Sequence, residues 1–314
     1  MISYLVRRIL ASIPILFGAT FIAFVAVLAI PGDPARVIAG SDATPQDIER
    51  IRTQLGLNEP IHTQYWKFLT RLSRGDLGRS TRLPRPVATE IGSRLPATLE
   101  LAAVTIVFAT VIGVLLGIVS ALKRNSLVDD AAMLVALTGM SIPAFWLGLL
   151  LILLFSVQLG WLPPSGRAGP IWTLEGMRSV VLPVLTLSVT PIAYITRLTR
   201  SAMLETLTQD YVRTAHSKGL AQLRVLLKHA LRNAALPIIT FVGMEFGYLL
   251  GGIVVVETVF SWPGLGRAVA TAVFARDFPL IQGIVLVLAG VFIVVNLVVD
   301  IAYGLLDPRI QYGA

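Results

Sequence analysis

Long apolar stretches alternate with short polar ones along this chain. A bilayer core of about 30 Å is crossed by about 20 apolar helical residues. Six segments come up to that length: 9–30, 96–122, 131–159, 180–197, 236–260 and 281–306. The first follows Arg7-Arg8 and ends in small residues, as a secretory signal does. Its apolar run of about 22 residues exceeds the 7–15 of a signal core, so it is expected to stay as an anchor. The pattern therefore predicts an all-α integral membrane protein with six spans.

Two of the polar stretches carry structure of their own. Segment 31–95 is too long for a plain connector. Thr44-Pro45 reads as a helix N-cap followed by proline at the first helical position, with Ile48, Ile51 and Leu55 at helical spacing. A second amphipathic run surrounds Tyr65, Trp66, Phe68, Leu69 and Leu72 and ends near Gly75. The two predict a small helical cap, partly seated in the membrane interface through its aromatics.

The other is DYVRTAHSKGLAQLRVLLKHALRNAALP, residues 210–237. Leu204, Leu207, Tyr211, Ala215 and Gly219 form a helical stripe with Val212 beside them. Gly219, after Lys218, is expected to take the positive φ that ends a helix. A second helix over 220–233 should then enter the fifth span at Leu236-Pro237. A basic helix–glycine–helix of this kind suits either a docking partner or an anionic lipid surface.

Within the spans, Gly243, Gly247 and Gly251 recur every four residues, so close helix approach is expected there. The approaching helix belongs either to this chain or to a second membrane subunit. Gly113 and Gly117 repeat the signal more weakly. Glu245 stands about 200° around the helix from Gly243. An ionisable group at that depth faces a watery cavity or a polar partner. Glu245 and Tyr248 are thus candidates for lining a solute pathway, a buried structural carboxyl being the alternative for Glu245. Asn296 and Asp300, one turn apart, suit interhelical hydrogen bonding, and Glu100 lies near the outer end of its span. Pro143 and Pro191 are expected to interrupt helices.

Composition narrows the chemistry. The chain has 314 residues, 55% hydrophobic and 14% charged, with mean hydropathy +0.77. A net charge of +8 without any nucleic-acid motif reads as Arg and Lys gathered at membrane boundaries, not as a nucleic-acid surface. Arg7, Arg8, Lys123, Arg124, seven basic residues from Arg197 to Arg232, and Arg309 would lie on one side. The two short loops of the other side hold Arg167, Arg178, Arg267 and Arg276. Both termini are therefore expected in the cytoplasm. There are no cysteines, which excludes disulfides, thiolate metal sites and iron–sulfur clusters. All three histidines lie outside the spans, which argues against a membrane haem. No GxxxxGK[ST] loop occurs, so the chain holds no ATP through a P-loop. No proton-relay or coupling-ion pattern is visible, and no metal is expected.

At this point the chain resembles the permeases of dipeptide/oligopeptide-type ABC importers. DYVRTAHSKGL…LKHALRNAALP is similar to their cytoplasmic signature. YLVRRIL, LAIPGDPAR, GDLGRS, SIPAFWLG, ITRLTRSAMLETLTQDYVRTA, VVVETVFSWPGLGR and NLVVDIAYGLLDPRI match the family in order along nearly the whole length. Compact length and a short 160–180 loop are most similar to the glutathione- and peptide-type "B" permeases. The resemblance implies the type I ABC importer permease fold in the inner membrane of a bacterium. It divides the chain into an anchor (1–30), a periplasmic cap (31–95), a permease core (96–306, coupling segment about 201–235) and a cytoplasmic tail (307–314).

It also implies partners: a homologous second permease, two ATPase subunits that bind ATP and Mg, and an extracytoplasmic solute-binding protein. Asp210, Tyr211, Val212, Arg213, Thr214, Ala215, Lys218 and Gly219 would form the element that couples to the ATPases. Arg213 stands where the broader importer motif has an acidic residue, so no salt bridge from other branches is carried over. No cofactor is expected in this chain itself, and no enzymatic activity. A stand-alone secondary transporter or channel is the rival reading, and it leaves the helix–glycine–helix without a role.

Overall fold

The computed structural model describes residues 2–29, 33–39, 43–54, 56–83 and 85–306. The described part is helical: α1 (Ile2–Ala29), α2 (Pro34–Ala39), α3 (Pro45–Gln54), α4 (Ile61–Ser73), α5 (Val87–Leu122), α6 (Leu127–Ser141), α7 (Ala144–Leu151), α8 (Leu174–Leu207), α9 (Asp210–Ser217), α10 (Gln222–Arg224), α11 (Leu231–Val259), α12 (Leu265–Ala275) and α13 (Phe278–Leu306). Ile30, Leu55 and the tail 307–314 fall outside the described residues.

Among the described residues, four helices are long and apolar enough to cross a bilayer: α5, α8, α11 and Phe278–Ile301 of α13. The expected first span corresponds to α1, whose apolar stretch is the shorter Leu10–Ala26. The expected third span is not one rod. Helix α6 and the pair formed by α7 and its π-helical continuation Ile152–Gln158 meet at a bend of 104°. The cause is Pro143, because a residue before proline is pushed out of the helical region. Ile142 accordingly takes φ −86 and ψ 123. Pro191 does the opposite of what was expected. With Pro183 it lies buried inside an unbroken α8, as membrane helices allow where neighbours pack around the freed carbonyl.

Two compact units divide the chain. One comprises Ile2–Ala97 and Pro263–Ile293. In it the Thr44 hydroxyl accepts from the Asp47 N–H at 3.2 Å and donates to its carboxylate at 2.7 Å. That reciprocal cap starts α3 at the expected residue and holds the exposed Asp47 carboxyl below its usual pKa. Helix α4 does not lay all its aromatics outward. Tyr65 and Phe68 turn onto α1, with Tyr65 5.3 Å from the Phe24 ring and 2.9 Å from the Thr20 hydroxyl, while Trp66 stays exposed. Segment 76–86 is fastened by Asp277, which accepts from the Ser80 hydroxyl and the Thr81 N–H. Val87, Ile91, Leu265, Ala268, Leu280 and Ile284 form the core of this unit.

The second unit comprises Thr98–Trp262 and the chain from Val294. Here α8 is the central element, packing along α6 and α11. Gly113 and Gly117 bring α5 against it within the chain. A Cβ on Gly117 would lie 2.5 Å from that of Thr199 and 2.7 Å from the Thr196 carbonyl oxygen. Glu100 is drawn into a two-bond pair with Arg167 of the loop before α8, at 2.7 and 3.2 Å. Glu257 is fully buried and accepts from Thr98 at 2.7 Å.

Candidate functional site

The expected stripe from Leu204 to Gly219 belongs to two helices. Helix α8 ends at Leu207, and α9 starts afresh at Asp210 after the turn at Thr208 and Gln209. The Gln209 carbonyl takes the Val212 N–H at 3.0 Å and so serves as the new helix's first acceptor. The eight candidate coupling residues then separate by face. Val212 and Ala215 are buried and pack with Val225 under Leu207 and Leu220. Burying a valine stabilises by about 1.5–3 kcal/mol, so this pair holds α9 onto its own chain. Asp210, Tyr211, Arg213, Thr214, Lys218 and Gly219 face outward. The Tyr211 hydroxyl accepts from Asn233 at 2.7 Å, tying α9 to α11.

Gly219 takes φ +73, as its place in the sequence requires. The Leu220 N–H reaches back to the Ala215 carbonyl at 3.4 Å, and Leu220 packs on the Val212–Ala215 face. This is a Schellman-type stop. A Cβ on Gly219 would meet nothing within 4 Å, so only the backbone angle demands glycine. Beyond it the chain is helical from Gln222, through π-helical turns at Val225–Ala230, to Val259. The second helix therefore has no boundary at Leu236-Pro237. Pro237 lies inside α11.

Sequence reasoning missed the strongest polar contact at this end of the unit. Arg200, two turns before the end of α8, donates two bonds to Asp129, at 2.7 and 2.6 Å. Asp129 also accepts from the Ser120 hydroxyl and from the Asn125 N–H at 3.0 Å. One buried carboxylate thus joins the end of α5, the 123–126 turn, the start of α6 and the helix that leads into α9. Half of this was legible, since Ser126 with Asp129 three residues later is a capping pattern. Arg200 lies 71 residues away and leaves no local mark.

The glycine stripe of α11 faces two ways. Four residues turn a helix by about 400°, so each glycine drifts about 40° from the last. Gly243 is pressed on α13, where a Cβ would lie 2.3 Å from a Val299 methyl. Gly247 is half-buried, and around Gly251 nothing lies within 4 Å. Met244, Tyr248 and Val255 continue the open face. Glu245 lies partly exposed at its edge, and Phe241, one turn before it, stacks with Tyr194 of α8 at 5.7 Å. Asn296 and Asp300 are both engaged with other groups. Among the described residues, no cluster of His, Asp or Glu could hold a metal.

Comparison with known proteins agrees with this architecture. Residues 113–312 match the profile of the binding-protein-dependent transport system inner membrane component, and residues 1–102 match its N-terminal counterpart. The dipeptide transport system permease protein DppB of Alkalihalophilus pseudofirmus is 44% identical, covering 99% of this chain and 100% of its own. The glutathione transport system permease protein GsiC of Escherichia coli strain K12 is 45% identical over the same shares. Among solved structures, an inward-facing MetNI methionine ABC transporter chain superposes on 72% of this chain with a TM-score of 0.59 and 18% identity. The fold is that of the type I ABC importers, and the chain belongs to the family of binding-protein-dependent transport system inner membrane components, the ABC importer permeases.

Proposed function

We propose that this chain is one of two permease subunits of an ATP-driven importer that moves peptides, dipeptides or glutathione-like solutes among them, inward across the bacterial inner membrane. The observation that carries the reading is α9. Its inner face is fastened to its own chain, its outer face exposes Asp210, Arg213, Thr214 and the adjoining Lys218, and a Schellman stop separates it from the helical run 222–259. In this reading α9 docks on ATPase subunits that bind ATP and Mg, with Asp210, Tyr211, Arg213, Thr214 and Lys218 forming the contact. Val212, Ala215 and Gly219 hold its angle. Glu245 and Tyr248 line the pathway, and Gly251 faces the homologous second permease.

In the same reading the chain has six spans and both termini in the cytoplasm. Segment 31–95 is a periplasmic cap on the side where a solute-binding protein delivers the cargo. The near-full-length likeness to a dipeptide and a glutathione permease supports the solute class.

Affinity purification from its own membranes tests the whole. A second permease and two ATPase subunits should come with the chain, and uptake in proteoliposomes should require ATP inside. Uptake by the purified chain alone, driven by an ion gradient, would establish a secondary transporter instead.

A further inference from the structure

Glu245 is the fifteenth of the 29 residues of α11, fourteen from Leu231 and fourteen from Val259. The helical run begins earlier, at Gln222, but Glu245 is thereby near the middle of the part apolar enough to cross a bilayer, where the hydrocarbon is driest. From Asn233 to Val256 no other acidic or basic residue occurs. Glu245 is partly exposed, and none of the described residues makes an ion pair or hydrogen bond with it. A carboxyl at that depth is not left facing hydrocarbon. Its side of the helix must meet water, a partner or cargo.

The surroundings favour cargo. The face that Glu245 shares with Gly252, seven residues on, is roomy there, because a Cβ at Gly252 would touch nothing within 4 Å. It is also aromatic. Tyr248 stands three residues on and is 71% exposed. Phe241 is one turn back and meets Tyr194, itself 42% exposed. Aromatic faces around an acidic group attract an ammonium through the ring quadrupole as well as the charge. An anionic solute would find no cation in this stretch of α11, whereas a positive group would find a carboxylate that none of the described residues pairs.

We infer that Glu245, with Tyr248, Phe241 and Tyr194 about it, is the point where the pathway holds the free ammonium group of its solute. The inference rests on the permease reading above and narrows its solute class. Dipeptides, longer peptides and glutathione all carry such an amine, and N-blocked peptides do not.

The absence of cysteine makes a direct test available. Tyr248→Cys, in the complex assembled with its partner subunits, is labelled with a trimethylammonium and with a sulfonate methanethiosulfonate. Labelling is read by mass on this chain. The ratio of cationic to anionic rates should fall roughly tenfold or more when Glu245→Gln is added, as loss of a nearby charge demands. Dialanine should slow the cationic reagent, and N-acetyldialanine should not.

A ratio unmoved by Glu245→Gln, a cysteine unreactive to both reagents, or equal protection by both peptides would each overturn the inference. The first two results are those expected if a cation of the second permease neutralises Glu245 or covers the face. ATP-dependent uptake by the unsubstituted complex scores the permease reading separately. Uptake without the charge preference overturns only the ammonium site.

Discussion

At the scale of single residues, Gly219 and Arg200 make different demands. Gly219 needs its backbone angle and nothing else, so a side chain there costs about 1–2 kcal/mol of left-handed strain with no clash. Gly219→Ala and Gly219→Val should therefore leave the complex assembled while lowering solute moved per ATP hydrolysed. Gly219→Asn should lose least, because asparagine tolerates this region. Paired uptake and ATPase assays in proteoliposomes measure that ratio. Arg200 needs geometry, since Asp129 takes two parallel bonds from it. Arg200→Ala should strip the buried carboxylate of its main partner and lower both thermal stability and uptake. Arg200→Lys should restore only part, because an ammonium cannot make the same fork. The two residues also explain what the sequence discloses. A positive φ leaves a glycine after a basic last turn, which can be read locally. A carboxylate that collects donors from three separate elements leaves no such trace.

At the scale of elements, periodicity located every long helix and misjudged three of them, α11 through the boundary expected at Leu236-Pro237. The largely apolar run 131–159 carries the interruption expected at Pro143, but nothing in its pattern says that the chain folds there through 104°, whereas Pro183 and Pro191 leave α8 intact. The difference lies in what surrounds each proline, which periodicity does not record. The glycines of α11 carry the same lesson. Their even spacing suggests one interface, but helical drift sends Gly243 into this chain and leaves Gly251 open. Gly243→Leu should thus lower the folded yield of the chain by itself, overpacking of this kind costing about 1–3 kcal/mol. Gly251→Leu should spare that yield and instead reduce recovery of the second permease. Size-exclusion profiles of the chain alone and pull-downs of the complex separate the two outcomes.

For the whole molecule, the charge asymmetry predicts a sidedness that labelling can read. Lys123→Cys in the α5–α6 turn and Trp172→Cys in the loop before α8, both introduced into a chain with no cysteine of its own, should differ. In intact cells with a permeabilised outer membrane, an impermeant maleimide should modify position 172 and leave position 123 untouched until the inner membrane is opened. The opposite pattern would invert the proposed orientation. Partners and cargo were the least legible from residues alone, because they are defined by surfaces this chain completes only with others. Full-length likeness to a dipeptide and a glutathione permease supports the proposed solute class, which spacing and composition do not reach.

The unbroken run from Gln222 to Val259 also bears on timing. It spans 38 residues, or about 57 Å if all helical, with Glu245 along its length and Gly219 just ahead of it. A rod without an internal joint leaves no slack between the end that a partner grips and the stretch that meets solute. Fluorophores at Arg224 and at Tyr248, which flank the π-helical turns, should therefore report one shared rate constant after ATP is added, and a lag at Tyr248 would mean that the rod gives way at those turns.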